Sequence, residues 1–247
     1  MLNTELIREA DFLAGGFPAQ YGNRLSSVLN IALREGNREK FAGDFEVGIS
    51  GAGLALEGPI NEHGSWMATA RRSYLDFIAR PAGITALPKF GSYQAKAVSE
   101  LGSNNRLWFV SIGGKDNIHY EGDQEDNPTF IDLQTGGWRT VSGLNWQSLW
   151  GKNGYGILSM SDAINVYESD AYDIQLQNQL IYQNHSSEGE TTLKYDLVYK
   201  LEDVGDLCAG AVGKRLRSSL EVKHPLVSYK CNACRRSKDI LGHGTRV

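Results

Sequence analysis

The strongest constraint on the fold is a regular alternation of apolar and polar side chains. It is clearest in residues 191–202, where one face carries Leu193, Tyr195, Leu197, Tyr199 and Leu201. The other face carries Thr192, Lys194, Asp196, Lys200 and Glu202, with Val198 as the exception. Successive side chains of a β-strand point to opposite faces, so this period of two predicts a strand with one apolar and one wet face. The alternation recurs from Phe41 onward, and we expect about nine strands in all.

The segments between the predicted strands alternate in length. Short polar turns, each suited to a hairpin by its composition, lie at residues 61–64, 102–105, 151–154 and 202–205. Longer segments rich in Asp, Glu, Asn and Gly lie between them, at about 78–91, 116–137 and 168–190. We expect the short turns at one end of an antiparallel sheet and the long loops at the other. Long strands connected in this way are typical of an outer-membrane β-barrel.

Composition and charge agree with a β-protein that crosses a membrane with strands. The chain has 247 residues, of which 28 are Gly and 10% are aromatic. It contains no run of about 18 apolar residues, the length that a transmembrane helix needs, whereas a transmembrane strand needs only about ten alternating residues. The formal charge is −4, but residues 214–247 carry a net +7. All three cysteines lie near that basic end, at Cys208, Cys231 and Cys234.

Residues 15–37, GGFPAQYGNRLSSVLNIALREGN, form a second signature, in which an Asn interrupts an apolar run. They resemble the end of the plug domain of TonB-dependent outer-membrane receptors, in the Bacteroidetes-type variant that has an upstream carboxypeptidase-regulatory-like domain. The matching positions are Tyr21, Gly22, Arg24, Ser26, Ser27, Asn30, Ile31 and Arg34. Residues 50–60 and 64–78 resemble the first barrel strands of the same receptors. The resemblance covers about 15–215 and is specific at 15–78.

The resemblance implies an all-β fold, in which the end of a plug domain is followed by an incomplete antiparallel transmembrane barrel of about nine strands. Residues 1–40 would be the C-terminal end of the plug, and residues 41–216 the N-terminal part of the barrel. Residues 217–247 match nothing in the family, and we expect a frameshift or a junction there. Because the family barrel has 22 strands, we expect this chain to be a fragment of a receptor, without the segment that contacts TonB and unable to transport alone.

A plug strand must join a small apolar core and also meet the charged inner wall of the barrel. A mixed strand such as 28–34, ending in Arg34-Glu35, suits that position. Asn30 would hydrogen-bond to neighbouring plug backbone, since a buried amide needs partners. The alternative is an edge strand whose Asn faces solvent.

The resemblance also implies a function and a location. The whole receptor would sit in the outer membrane of a Gram-negative bacterium, in contact with outer-membrane lipid. It would bind a scarce nutrient, such as a glycan, a peptide or a metal chelate, and import it with energy from the inner membrane through the TonB complex. We expect no catalytic residue, cofactor, metal or nucleic-acid partner, and therefore no enzyme.

Three other interpretations remain open at this stage. A soluble carbohydrate-binding β-sandwich would present Trp138, Trp146 and Trp150 as a sugar platform. A β-rich glycoside hydrolase would need two carboxylates facing each other across a cleft. Cys231 and Cys234 would supply half of a zinc site, but the nearby His residues lack the spacing of a zinc finger. The acidic loop at 116–128 lacks the spacing of a calcium-binding loop, and we expect it to be a solvated outer loop.

Overall fold

The computed structural model describes residues 3–16, 26–49, 51–75, 86–120, 131–176, 178–201, 205–224 and 227–231. Almost all of them lie in strands, after a single 3₁₀ turn at Thr4–Leu6. The strands are β1 Ile7–Ala14, β2 Ser27–Leu33, β3 Ala42–Gly48, β4 Gly51–Asn61, β5 Gly64–Ser73, β6 Ala86–Glu100, β7 Asn105–Tyr120, β8 Ile131–Trp150, β9 Gly154–Asp173, β10 Gln179–Leu201, β11 Gly205–His224 and β12 Val227–Cys231. Within these ranges no helix has the length and apolar character to cross a membrane.

The strands form two sheets. β1 and β2 pair as an antiparallel hairpin, and β3 to β12 form one ten-stranded sheet in sequence order, with every neighbouring pair antiparallel. In the described part of the chain, β3 and β12 are the outer strands of this sheet and do not pair with each other. The predicted all-β fold with an open part-barrel is confirmed, with ten sheet strands where we expected about nine.

The predicted turns at 61–64, 102–105 and 151–154 lie at one end of the large sheet, where they join β4 to β5, β6 to β7 and β8 to β9. Most of the fourth predicted turn, at 202–205, lies outside the described residues, between β10 and β11. Residues 74–85, 121–130 and 174–178 connect strands at the opposite end. The predicted sorting of connections holds only in part, because short connections also occur at the opposite end: β3 ends at Gly48 and β4 begins at Gly51, and β11 ends at His224 and β12 begins at Val227. Three turn glycines, Gly102, Gly151 and Gly205, have φ values of 75°, 61° and 123°, which side chains with a Cβ rarely adopt.

The predicted bounds of the long loops are wrong, because the strands extend well into them. β6 begins at Ala86, β7 continues to Tyr120, and β8 begins at Ile131. Most of 168–190 is paired strand, and only residues 174–178 separate β9 from β10. Asp170 on β9 pairs with Gln183 on β10, so the polar residues that indicated a loop occupy ladder positions.

Cross-strand register defines two faces of the large sheet. One row runs Glu57, Met67, Lys96, Val110, Gly143, Ser161, Thr192 and Lys214. Met67 and Val110 in this row pack against residues of the hairpin, so we call this face concave and the other face convex. Leu193, Tyr195, Leu197, Tyr199 and Leu201 lie on the convex face. The two predicted faces of 191–202 are therefore separated as expected, with Lys194, Asp196 and Lys200 on the concave side.

Candidate functional site

The hairpin is held against the concave face by a small apolar cluster. Leu6 and Leu33 from the hairpin region and Met67 from β5 are buried together, with 1%, 8% and 1% of their surface exposed. Ile31 on β2 and Ile112 on β7 pack around them. The hairpin region therefore buries Leu6 and Leu33 against the sheet, whereas Phe12 and Leu29 of the hairpin remain exposed.

Beside this apolar cluster lies a network of ion pairs between the end of β2 and the sheet. Glu35 accepts hydrogen bonds from Arg38 Nη2 at 2.9 Å and from Arg106 Nη2. Arg38 Nη2 also donates to Glu100 Oε1 at 2.8 Å. Arg34 Nη1 pairs with Glu57 of β4. We call the following residues the hairpin–wall ion network: Arg34, Glu35, Arg38, Glu57, Glu100 and Arg106.

Main-chain groups strengthen the same junction. The Arg34 N–H donates to the Leu6 carbonyl at 2.8 Å, and Arg34 Nε donates to the Glu5 carbonyl at 3.1 Å. Lys96 Nζ, from β6 of the wall, donates to the Leu33 carbonyl at 2.6 Å. The end of β2 is thus bound both to the 3₁₀ turn and to the wall.

The network shifts the titration of its two central groups. Burial disfavours the charged Glu35 carboxylate, but the hydrogen bond from Arg38 and the positive charges of Arg106, Arg38 and Lys96 outweigh burial, so the pKa of Glu35 is lowered. Hydrogen bonds to Glu100 and Glu35 raise the pKa of Arg38. Both groups therefore remain charged at neutral pH. Ion pairs that water reaches this easily contribute only about 0–1 kcal/mol each, so together they fix orientation more than they add stability.

The segment that leads from the network into β3 fits closely against the wall. A Cβ added at Gly36 would overlap the main-chain carbonyl of Trp66, and a main-chain atom cannot move aside as a flexible side chain can. Asn37 Oδ1 then accepts from the N–H groups of Glu39 and Lys40, at 2.8 and 3.0 Å, which closes a tight turn. Gly36 and Asn37 therefore set the path of the chain between hairpin and wall.

A second feature of the concave face is a cavity of about 920 Å³ next to the hairpin-packing residue Ile112. Two parallel rows of side chains from adjacent strands line it. The first row is Ile112, Val141, Ala163, Glu190 and Leu216, and the second is Gly114, Arg139, Asn165, Glu188 and Ser218. The cavity thus has an apolar row beside a polar row.

The convex face carries an exposed apolar band near the short turns. Leu144, Trp146, Met160 and Leu193 lie there, with 46%, 46%, 57% and 53% of their surface exposed. Farther from the turns the same face becomes polar. Its ion pairs there include His119–Asp132 at 3.0 Å and His185–Asp170 at 3.2 Å. The convex face is therefore divided into an apolar band and a polar band.

The plug-like residues fall in different places. Tyr21, Gly22 and Arg24 lie outside the described residues, and Ser26 and Ser27 stand at the start of β2, exposed. Asn30 is also exposed, opposite Asp11 of β1, so the expected buried amide is not present in this hairpin. Among the described residues of the motif, Ile31 and Arg34 contact the sheet, through the apolar cluster and Glu57.

Sequence reasoning missed the wall residues of the ion network. Arg106 and Glu100 lie 71 and 62 positions from their partners Glu35 and Arg38, and no local pattern marks such pairs. The one available signal was the expectation that Arg34-Glu35 meets a charged wall.

The remaining candidate sites from the sequence are the metal-binding sites and the tryptophan platform. No group of three or more potential metal ligands occurs in the part of the chain that the structure describes. Residues 121–130 and 232–247, which hold most of the acidic loop and Cys234, lie outside that part. Trp138, Trp146 and Trp150 all lie on the convex face of β8, and Trp146 Nε1 donates to Asn105 Oδ1 at 3.1 Å.

Among known proteins, a solved structure is similar to this chain. No family model matches the chain, and no curated protein matches it. The TonB-dependent receptor FpvA of P. aeruginosa, solved with iron and a heterologous pyoverdine, is similar with a TM-score of 0.61 and 14% sequence identity. The similarity covers 89% of this chain and 33% of the FpvA chain, so this chain spans about a third of that protein's length. At this identity the likeness shows the fold, a part-barrel with a hairpin against its inner wall.

Proposed function

We propose that the chain is part of a TonB-dependent receptor of the outer membrane, which imports a scarce nutrient with energy from the inner membrane. The hairpin corresponds to the end of the plug, and the ten-stranded sheet to the first part of the barrel wall. The observation that carries the proposal is the arrangement itself, a hairpin bound to the concave face of a single long-stranded sheet whose convex face has an exposed apolar band. The likeness to FpvA supports the same fold.

The two faces of the sheet separate this proposal from a soluble β-sandwich. A sandwich covers the apolar face of one sheet with a second sheet about 10 Å away. In the described residues, the hairpin is the only other sheet, and it lies on the concave face. The exposed apolar band on the convex side therefore suits contact with lipid acyl chains, and outer-membrane lipid becomes the expected partner of that band.

The domain limits follow as part of the proposal. Residues 1–40 form the end of the plug, and residues 41–216 the barrel part. β11 supports a change near residue 215 on its convex side, which carries Leu207, Ala209 and Ala211 before this position and Arg215 and Arg217 from it onward. The concave side carries Val212 before this position and Leu216, Leu220 and Val222 after it. A shift of reading frame or a junction before residues 217–247 would produce this change of the convex side from apolar to basic.

In a receptor of this kind, the hairpin–wall ion network would hold the end of the plug in register with the wall. Its residues carry no chemistry, and import would require movement of the plug driven from the inner membrane. The finer assignment, to Bacteroidetes-type receptors with an upstream carboxypeptidase-regulatory-like domain, rests on the residues of 15–78 alone.

One pair of substitutions on β10 tests the membrane assignment. Leu197 lies on the convex face, and its neighbour Asp196 lies on the concave face, where it pairs with Lys194 at 2.8 Å. Arg on the lipid side of such a barrel costs about 2–4 kcal/mol at the bilayer midplane, whereas a wet lumen tolerates it. Leu197→Arg should therefore reduce the amount of receptor assembled in the outer membrane much more than Asp196→Arg does. Equal loss from both substitutions would contradict the assignment.

A further inference from the structure

The two faces of β3 to β7 differ in charge. At the described convex positions of these strands there is no Asp or Glu, and three cations occur there, Arg72, Lys89 and Lys115. The carboxylates of the same strands lie on the concave face: Asp44, Glu46, Glu57, Glu100 and Asp116. The convex face of this part of the wall is therefore positive, and its complementary partner is an anion.

Two of these cations, Arg72 and Lys115, flank an open space. They lie in one row across the strands, on either side of Gly91 of β6. Two strand spacings separate them, about 9.6 Å. A Cβ added at Gly91 would meet a single described atom, the Arg71 carbonyl oxygen, at 3.5 Å. Both cations are exposed, and neither is in an ion pair within the part of the chain that the structure describes. Their long side chains can therefore converge on one anion above Gly91.

Aromatic side chains border this space on two sides. Tyr93 lies two residues nearer the short turns, and its ring covers Gly113, where an added Cβ would come within 2.5–2.9 Å of three ring and hydroxyl atoms. The Tyr93 hydroxyl and Thr140 Oγ1 are hydrogen-bonded at 2.6 Å, which fixes the ring on the convex surface. Trp138 continues the row beyond Lys115 and is 41% exposed. Tyr and Trp with one apolar and one wet end are typical of a membrane–water interface.

The height of this row above the short turns matches the headgroup region of a bilayer. Trp138 in the row and Trp150 beside the turn at 151–153 are twelve positions apart on β8. At about 3.3 Å per residue and a tilt of about 40°, this separation corresponds to about 30 Å of height. The apolar band of an outer-membrane barrel is about 25 Å tall. The row therefore lies just beyond the acyl chains, toward the longer connections 74–85 and 121–130, which mark the outer side in such a barrel.

We propose that Arg72 and Lys115 bind the phosphate of a lipid headgroup in the outer leaflet. The inference rests on the proposed function for the orientation of the sheet in the membrane. Arg presents a planar fork of N–H groups that matches phosphate oxygens, and Lys adds a second positive charge. Gly91 leaves room for the phosphate, and Tyr93 and Trp138 contact the lipid where its headgroup meets its acyl chains. Because the space is continuous with the apolar band, the ligand is a lipid and not free phosphate.

The test compares two lipids that differ only in a phosphate group. The purified full chain in dodecyl maltoside micelles is titrated at low ionic strength with dioleoyl phosphatidic acid or with dioleoylglycerol, and native mass spectrometry counts the bound lipid. We expect phosphatidic acid to bind at least tenfold more tightly, because charge-assisted hydrogen bonds form only with the phosphate. Equal affinity would overturn the proposal. Inorganic phosphate at the same concentration should not displace the lipid; displacement would overturn the assignment to a lipid.

A double variant and a matched control locate the binding. Arg72→Gln/Lys115→Gln should weaken phosphatidic acid at least tenfold and leave dioleoylglycerol unchanged. Arg71→Gln/Arg139→Gln removes two cations from the concave face, where they pair with Glu46 and Asp116, and should change the affinity less than twofold. Equal weakening by both double variants would overturn the assigned position.

Gly91→Val tests the open space without a change of charge. Gly91 has no positive φ, so Val is compatible with the strand, and circular dichroism verifies that the β-structure is kept. This variant should weaken phosphatidic acid at least threefold, because its side chain occupies the space between the cations. Unchanged affinity would reduce the interaction to general attraction by charge and overturn the site. Equal binding of the two lipids, while Leu197→Arg still reduces assembly more than Asp196→Arg does, would reject the headgroup site and leave the receptor proposal standing.

Discussion

Met67 should control whether the β1–β2 hairpin remains docked on the concave face of the large sheet. Its side chain comes from β5, is 1% exposed, and is the wall's contribution to the buried cluster with Leu6 and Leu33. Replacing a buried Met by Ala costs about 2–5 kcal/mol, partly through lost transfer energy and partly through the cavity left behind. Because the cluster is small and its neighbours Ile31 and Ile112 are only partly buried, we expect the lower part of this range, about 2–3 kcal/mol. This loss should destabilise the docked state of the hairpin and not the sheet, because the hydrogen bonds between the strands of the sheet remain intact.

Amide hydrogen exchange measures the docking equilibrium through the hydrogen bonds of the hairpin itself. The Arg34 N–H is bonded to the Leu6 carbonyl within the hairpin region, and it exchanges after undocking because an isolated two-stranded hairpin is at best marginally stable. A loss of about 2–3 kcal/mol changes the opening equilibrium by a factor of about 30–150, at about 1.4 kcal/mol for each tenfold change. Met67→Ala should accelerate exchange of β1 and β2 by this factor while β8 to β10 stay protected.

The control is Met160→Ala, which removes the same atoms from the convex face, where Met160 is 57% exposed. It should leave the exchange of the hairpin unchanged. If Met67→Ala accelerates exchange less than threefold, the apolar cluster does not hold the hairpin. If it accelerates every strand equally, Met67 stabilises the sheet and the reasoning about docking is wrong.

Two further predictions concern the same junction. Gly36→Ala should loosen the hairpin, seen as faster proteolysis of β1 and β2, because the added Cβ overlaps the Trp66 carbonyl; Gly16→Ala, where a Cβ meets nothing within 4 Å, should be silent, and equal proteolysis of both variants would contradict the close fit. The lowered pKa of Glu35 means that the folded state binds fewer protons than the unfolded state near this group. Its contribution is therefore present above the ordinary pKa of 4.5 and is lost as the pH falls through the lowered value. Amide exchange of the hairpin should therefore accelerate as the pH falls through the lowered pKa of Glu35, and Glu35→Gln should remove this pH dependence. An unchanged pH dependence in Glu35→Gln would show that other groups cause it.

The parts of the fold that follow from the sequence are the local ones. Alternation along 191–202 identified both faces of β10, and the glycine-containing turns at 102–105, 151–154 and 202–205 identified three hairpins, because strand period and turn chemistry are encoded by neighbouring residues. The β9–β10 connection was mistaken for a long loop because Asp170 and Gln183 are polar, although both sit in the ladder. A wet sheet face carries no apolar signal that would distinguish a strand from a loop.

The candidate site was far less predictable. Arg34 carried a local signature, but its partner Glu57 depends on how the hairpin sits on β4. The pairing of Glu35 with Arg106 depends on register accumulated over four strands. The cavity was even harder to predict from the sequence, because Ile112 and Glu190 lie in one row only as a result of the register in which β7 to β10 pair. Such arrangements are properties of the assembled sheet.

The most direct test of the account is whether the convex face of β10 contacts lipid. A variant with Cys208, Cys231 and Cys234 replaced by Ser receives a single fluorescently labelled Cys at position 195, 196 or 197, and is reconstituted in bilayers. A lipid-soluble nitroxide quencher is then compared with a water-soluble one. The account predicts quenching from lipid at 195 and 197 and from water at 196, since these positions alternate between the two faces. Protection of 195 and 197 from both quenchers would place them in a protein core, and would contradict the assignment of this sheet to a membrane barrel.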